Sequence, residues 1–446
     1  MAGLATTKNN SFFLLSIFVF SLIIRFVFFK IFLSNNPIKL AYDAGHYHSV
    51  ACSIVQGNGV SNPDGSPHLY RLPGYPLFLA ACYSIFGINP DRALMVQLVL
   101  SSCIPLLVYV LALQLFPGAY GVACVSTFLT ALHPGFLILS GLVMSETLFI
   151  TLLLLFLILF FISWRSSRKF LWTSSAGLVL GFASLVRPVG VWLMVISVIA
   201  LAAQNYRLRV RIKHMVLFIG TWFIPVGLWL LRNVCMTGSI FLSTFSGAHL
   251  LNHGAVRVTA SACNISYIEA RQMVHNELTQ RVAPSSEVAW AYEAEHYARA
   301  CLMRYPWQTC KLCVTNIVKT LCSLHAAELL CIDAAGALPS YDPTRSYKDM
   351  IMRFIIPSVH NRLIIPLIYF EIVQHLIILL GALGWCIMVA RRKERILPQH
   401  ILVIMMTCAF IGLSCVCGFA RLRLPVEPFF IMLAVSFWSR VGTERE

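Results

Sequence analysis

The run "SFFLLSIFVFSLIIRFVFFKIFL" (11–33) can cross a bilayer unaided, and it is the first of about ten such runs. A spanning helix needs roughly 20 consecutive apolar residues. The others lie near 92–116, 119–134, 142–163, 170–186, 189–205, 214–231, 363–390, 396–419 and 425–439. In lipid every backbone N–H and C=O must be paired internally, so runs of this length and character can only be helices. The expected fold class is therefore an all-α polytopic membrane protein of about ten transmembrane helices, the third and fifth short. Composition agrees: 58% of the 446 residues are hydrophobic and 12% are charged, about half the charged share of a soluble domain. The first run is too long for the apolar part of a signal peptide and no small-residue cleavage site follows it, so it reads as a retained anchor.

The net charge of +16 has to be read by location before any partner is inferred from it. "WRSSRK" (164–169), "YRLRVRIKH" (206–214) and "ARRKER" (390–395) are short and dense in Lys and Arg. With the N-terminus cytoplasmic, all three fall on the cytoplasmic side, as the positive-inside rule requires. Much of the charge is thus a topology signal, and nucleic acid is not an expected partner.

On this topology the non-cytoplasmic side carries two larger pieces, and the chain divides into three expected parts. Residues 1–231 form an N-terminal transmembrane module whose first external loop is 34–91. Residues 232–362 form an external helical segment, with helical patterns at 266–282, 286–303 and 306–325. Residues 363–446 supply C-terminal transmembrane helices. "WQTCKLCVTNIVKTL" reads as an interfacial amphipathic helix with Lys311 and Lys319 placed to snorkel. No tandem repeat or low-complexity tract is visible. The 15 cysteines are scattered; Cys310 and Cys313 make a C-x-x-C with no second pair at zinc-site spacing, so free thiols or a disulfide fit better than a metal.

The first external loop opens with "DAGHYHSVACSIVQGNG" (43–59). On a helix Asp43, His46 and Tyr47 share one face, beside an apolar stripe of Ala44, Tyr47, Ala51, Ile54 and Val55. Other conspicuous polar residues also gather at the non-cytoplasmic ends of the spans: Arg71 in "YRLPGYPLF", His133 and Glu146 in "HPGFLILSGLVMSE", Arg187 in "LVRPVG", Arg232 in "WLLRN", and Arg421, Arg423 and Glu427 in "FARLRLPVEP". Cations there run against the positive-inside trend, and ionisable groups at membrane depth are costly and usually functional. Arginines converging with one or two carboxylates describe a site for an anionic lipid headgroup, because the planar guanidinium pairs bidentately with phosphate oxygens. Taken singly, each residue has a plainer reading. An arginine at a helix end can snorkel, Glu146 can answer the dipole of the helix it opens, and Asp43 can cap the helix it begins. His46, His48 and His133 read as interface or packing residues before metal ligands.

With these motifs in view, the chain resembles polyprenyl-phosphate-sugar glycosyltransferases of the GT-C class, in the branch related to protein O-mannosyltransferases and the lipid A aminoarabinose transferase. The shared pattern is Asp43, Tyr47, Ala51, Gly57 and Gly59, then Arg71, Pro73, Gly74, Tyr75 and Pro76. "HPGFLILSGLVMSETLF", "GLVLGFASLVRPVGV", "WLLRNVCMTGSIFLST", "YARACLMRYPWQTCKL" and "ARLRLPVEPFFIMLA" follow in order, so the resemblance covers nearly the whole chain. Two departures stand out. Ala44 follows Asp43 where the protein mannosyltransferases carry an Asp-Glu pair, and Arg71 stands two residues before Pro73 where the aminoarabinose branch has a Lys directly before its proline pair.

The resemblance implies a sugar donor on a polyprenyl phosphate, lying between helices, and Asp43 as general base on an acceptor hydroxyl. The acceptor would be a glycan, a lipid or a protein. Arg71, Arg187, Arg232, Arg421 and Arg423 are the expected donor-phosphate ligands. Glu146 is expected to orient hydroxyls as a second catalytic carboxylate, and His46, Tyr47 and Tyr75 to position substrate. Direct displacement inverts the anomeric centre, and no partner for a retaining mechanism stands out. No cofactor or metal is called for, since the arginines can balance the phosphate. A bacterial inner membrane with the site facing the periplasm is placed ahead of the endoplasmic reticulum membrane; the sequon Asn264-Ile265-Ser266 does not choose between them. The alternative from another class is a transporter or flippase for an anionic lipid, which should show charges within helices and an internal repeat.

Overall fold

The structure, a computed structural model, describes residues 2–34, 43–281, 286–326, 364–391 and 396–443. Among these, eight helices are long and apolar enough to cross a membrane. They are α1 (Ala2–Phe28, continued as a π-helix through Phe29–Leu33), α4 (Pro90–Leu115), α7 (Glu146–Arg165), α8 (Lys169–Val186), α10 (Leu208–Thr237), α16 (Ile364–Ala390), α17 (Pro398–Leu413) and α19 (Glu427–Thr443, which follows α18, Ala420–Arg423). Helices α5 (Tyr120–Leu132) and α6 (Pro134–Ser140) make a ninth span if counted together, although they meet at a 48° bend. The bend falls at His133-Pro134, where proline cannot donate to the helix before it. The run expected at 189–205 is the short α9 (Val189–Ala202). The protein is therefore an integral, multi-pass membrane protein, all-helical with eight or nine full spans among the described residues, which fits the expectation of about ten.

The bundle packs α8 against α7 and α10, α4 against α5, α7 and α1, and α16 against α19. One deeply buried cation braces its start: Arg25 of α1 donates from Nε to the Ser101 hydroxyl at 2.8 Å and from Nη1 to the Ala131 carbonyl at 3.3 Å, tying α1 to α4 and α5. Between α1 and α4 lie two short helices, α2 (Ala44–Val55) and α3 (Gly74–Phe86). Gly74 is required by close approach, since a Cβ there would stand 2.7 Å from the Leu185 backbone. That contact seats the start of α3 on the end of α8, one residue short of Arg187.

The segment after α10 holds helices α11 (Phe245–Leu250, leading through a π-helical turn, Leu251–Ala255, into α12, Val256–Cys263), α13 (Tyr267–Arg281), α14 (Glu287–Arg304) and α15 (Pro306–Cys322). They have their own core, with Leu251, Val256, Val258, Val274, Leu278, Ala294 and Ala298 packed together. On α15 Trp307, Val314 and Val318 are exposed, the apolar face expected of an interfacial helix. Cys310 and Cys313 are free thiols. The expected external residues 327–362 lie outside those described.

Candidate active site

Asp43 is the residue before α2, the position from which a side chain would cap the helix, yet its carboxylate makes no capping bond. It turns instead to two guanidinium groups. Arg71 Nη2 donates to Asp43 Oδ1 at 2.6 Å, and Arg421 Nη1 lies 3.9 Å from Oδ2. All three side chains keep some access to the exterior, at 21% for Asp43, 14% for Arg71 and 22% for Arg421. Two guanidinium groups thus face one carboxylate.

The loop between α2 and α3 is built to place Arg71. Gly57 and Gly59 adopt φ of +86° and +69°, values that glycine reaches without steric cost. His68 Nδ1 donates to Asn62 Oδ1 at 2.7 Å, which leaves Nε2 to accept from the Arg71 backbone N–H at 3.0 Å. Burial, together with His46, Arg232 and Arg71, pushes the His68 pKa down to about 4, so this imidazole stays neutral and its acceptor stays available. The Arg71 guanidinium then lies over the Phe245 ring at 3.9 Å and near Tyr70 at 5.1 Å, a cation–π seat that fixes its plane.

A second ion pair stands at the same end of the bundle. Glu146 opens α7 and is buried. Arg187, extended between α8 and α9, brings Nη1 within 2.8 Å of Glu146 Oε1, while Oε2 is buried with no hydrogen-bond partner. Tyr47 is buried on α2, and burial raises the pKa of its phenol, with smaller influences from Arg71, Asp43 and Glu146.

The remaining expected residues divide. Tyr75 is fully buried, packed edge-on to Tyr47 at 4.9 Å, and its hydroxyl donates to Gln97 Oε1 at 2.8 Å. His46 is exposed with its ring 5.6 Å from Tyr70. Arg232 donates to the carbonyls of Val60 at 2.7 Å and His68 at 3.1 Å, which binds the external loop to the end of α10. Arg423 is fully buried; it pairs with Glu427 and donates from Nη1 to the carbonyls of Thr320 and Leu321, both at 2.6 Å. Of the five arginines expected at the donor phosphate, Arg71 and Arg421 face Asp43, Arg187 faces Glu146, and Arg232 and Arg423 donate to backbone carbonyls. Sequence reasoning did not single out His68 or Phe245, whose contributions come from a loop fold and a segment 174 positions after Arg71.

Residues 67–229 match the family model described as dolichyl-phosphate-mannose-protein mannosyltransferase. This segment holds Arg71, Glu146 and Arg187, while Asp43 and Arg421 lie outside it. No curated protein matches the chain in sequence. Among solved structures, the Archaeoglobus fulgidus oligosaccharyltransferase AglB, in complex with an inhibitory peptide and a dolichol-phosphate, is 12% identical with a TM-score of 0.51, covering 98% of this chain and 51% of that one. An apo form of the A. fulgidus oligosaccharyltransferase gives 14%, 0.50, 97% and 51%. ArnT from Cupriavidus metallidurans bound to undecaprenyl phosphate gives 13%, 0.43, 96% and 79%. The chain spans about half the length of the AglB chains and shares their transmembrane fold. Residues 67–229 are thus similar to the mannosyltransferase family model, and the chain as a whole shares the fold of the oligosaccharyltransferases.

Proposed function

We propose that the chain transfers a sugar from a polyprenyl-phosphate donor to an acceptor hydroxyl, at the membrane face where Asp43 lies, with inversion. The observation that carries this reading is Asp43 held between Arg71 and Arg421, uncapped and partly open at one end of the bundle. Asp43 removes the acceptor proton as the acceptor oxygen attacks the anomeric carbon. The bond from that carbon to the phosphate oxygen breaks, and its electron pair leaves on the phosphate. In the resting arrangement Arg71 is paired with the base itself. A donor phosphate competes for Arg71 and Arg421, and as their charge turns toward it Asp43 is released to accept a proton. Arginines in a low-dielectric site stabilise the departing phosphate, and base assistance adds roughly 10²–10⁴-fold.

Glu146, with one buried carboxylate oxygen unpartnered, has an acceptor to offer a sugar or acceptor hydroxyl, and Tyr47 a phenolic donor beside it. Residues 1–231 with loop 34–91 then carry most of the site. The segment 232–362 contributes Phe245 beneath Arg71, and 363–446 contributes Arg421. The acceptor is a glycan, a lipid or a protein, and the site faces the periplasm of a bacterial inner membrane.

The test uses membranes carrying the wild-type chain or Asp43→Asn, a panel of radiolabelled polyprenyl-phosphate sugars, and extracted endogenous lipids and polymers as acceptors. Label moves from one donor with the wild type and slows by about 10²–10⁴-fold with the variant, and the product has the opposite anomeric configuration to the donor. Equal transfer by the variant removes Asp43 from the role of base. If the wild type consumes no donor, the reading as a transferase of polyprenyl-phosphate sugars fails.

A further inference from the structure

A second cluster of chemically active side chains stands just outside the proposed reaction. His249 on α11, His253 in the π-helical turn that follows and Cys417 in the turn before α18 bring one ligand atom each within 4.8 Å of one another. His249 Nε2 and Cys417 Sγ are 2.8 Å apart, and the two imidazole rings lie 4.7 Å centre to centre. His253 Nδ1 is buried with no hydrogen-bond partner. The π-helical turn Leu251–Ala255 lies between and around the two histidines; such turns are frequent at functional sites.

We propose that His249, His253 and Cys417 form a site for a soft divalent cation of the zinc type. Two imidazoles and a thiolate are a zinc ligand set, and three protein ligands leave a fourth position for water or an anion. A sulfur ligand beside two imidazoles selects an ion with strong affinity for thiolate. Arg71, Arg257 and Arg421 act on the same cluster. Hard ions bound weakly through oxygen would be repelled there, whereas a thiolate offsets one of the metal's two charges.

The position suggests what the ion does. Phe245, one turn before His249, is the ring on which Arg71 lies. Arg421, one turn after Cys417, is the second cation facing Asp43. A metal joining His249 and His253 to Cys417 clips together the two elements that deliver these arginines, and so acts as a positioning device. The metal assignment stands on its own ligands and does not depend on the proposed reaction.

The experiment uses the purified full chain in detergent, stripped of metal and titrated with Co²⁺, which replaces zinc and reports thiolate ligation as a near-ultraviolet charge-transfer band. The wild type is expected to show that band at one equivalent and to lose it on addition of Zn²⁺. Cys417→Ser abolishes it, His253→Ala weakens Co²⁺ binding by at least ~10-fold, and Cys415→Ser leaves it intact. Absence of the band in the wild type, or its persistence in Cys417→Ser, overturns the proposal. Should Cys417→Ser fail to fold, alkylation of the wild type followed by peptide mapping decides: Zn²⁺, and not Mg²⁺, protects Cys417 but not Cys415. Equal labelling of Cys417 with and without Zn²⁺ overturns the site.

Discussion

Arg421 and Arg423 are two residues apart on one four-residue helix, and each faces a carboxylate. Arg421 approaches Asp43 at 3.9 Å with part of its surface open. Arg423 is sealed. It pairs with Glu427 and donates to Thr320 and Leu321, while Glu371 of α16 accepts from the backbone N–H groups of His325 at 2.6 Å and Ala326 at 2.7 Å. The closed set fastens the end of α15 to α16 and α19; the open set can exchange one partner for another. Residue type is the same in both, so the difference lies in remaining access to the exterior. An arginine with its fork filled by carbonyls is framework, and one that faces a carboxylate with part of its surface open is, on the proposed reading, a ligand site.

The contrast is broken most directly at Arg423. Arg423→Met leaves Glu427 charged in a buried setting, and removing one partner of such a pair costs about 3–5 kcal/mol. Thermal unfolding in detergent should show this as a large fall in midpoint, mostly recovered by adding Glu427→Leu. A midpoint like that of the wild type would mean the closed set is not framework.

Next in size is the open pair. Arg421→Ala and Arg71→Ala should change stability by no more than ~1 kcal/mol, since partly exposed ion pairs contribute little. Sugar transfer should fall by about 10²–10³-fold, the usual consequence of removing a donor to developing charge. Arg71→Lys restores charge but not the planar fork or its seat on Phe245, so it should recover only part of the rate. Loss of stability in proportion to loss of rate would put Arg71 and Arg421 with the framework.

Arg232 falls between the two. Its alanine variant leaves the Val60 and His68 carbonyls to water, at about 1–2 kcal/mol. The effect should be local, seen as faster amide exchange across residues 60–71 and a raised KM. Global unfolding with no local change would break that assignment.

What was legible beforehand follows the physics of each signal. Spans such as Ser11–Leu33 and Glu146–Arg165 were plain because membrane helices are selected by length and polarity alone. Helices α13, α14 and α15 fell within a few residues of their expected patterns, since polar helices still carry period and caps; Ser286, for example, accepts from Ala289 N–H. The gathering of Asp43, Arg71, Glu146, Arg187 and Arg421 at one end followed from topology. What topology could not say was which arginines were already committed. Arg421 and Arg423 read alike in "FARLRLPVEP", and only the path of α15 past α18 decides that Thr320 and Leu321 claim the second. The two histidines of "AHLLNHG" carried an i, i+4 signal on their own, but Cys417, 164 positions after His253, could be joined to them only in three dimensions.

The smallest expected effect concerns the support behind Arg71. His68 accepts from the Arg71 N–H through Nε2, and protonation converts that acceptor into a donor. Its folded pKa, about 4, is depressed from the ordinary 6.5. The unfolded loop therefore takes up a proton first as pH falls. The stabilisation His68 gives is whole above 6.5, declines as pH drops through the window from 6.5 to 4, and is gone below it. The loss is confined to the loop and leaves the spans untouched. Amide exchange at Arg71 should accordingly rise between pH 6.5 and pH 4 after correction for intrinsic rates, and His68→Gln, which cannot titrate, should flatten that rise. A wild-type profile already flat over this window would detach His68 from the placement of Arg71. Arg71 would then depend on Phe245, Tyr70 and Asp43, making the open pair still more exchangeable than its sealed neighbour.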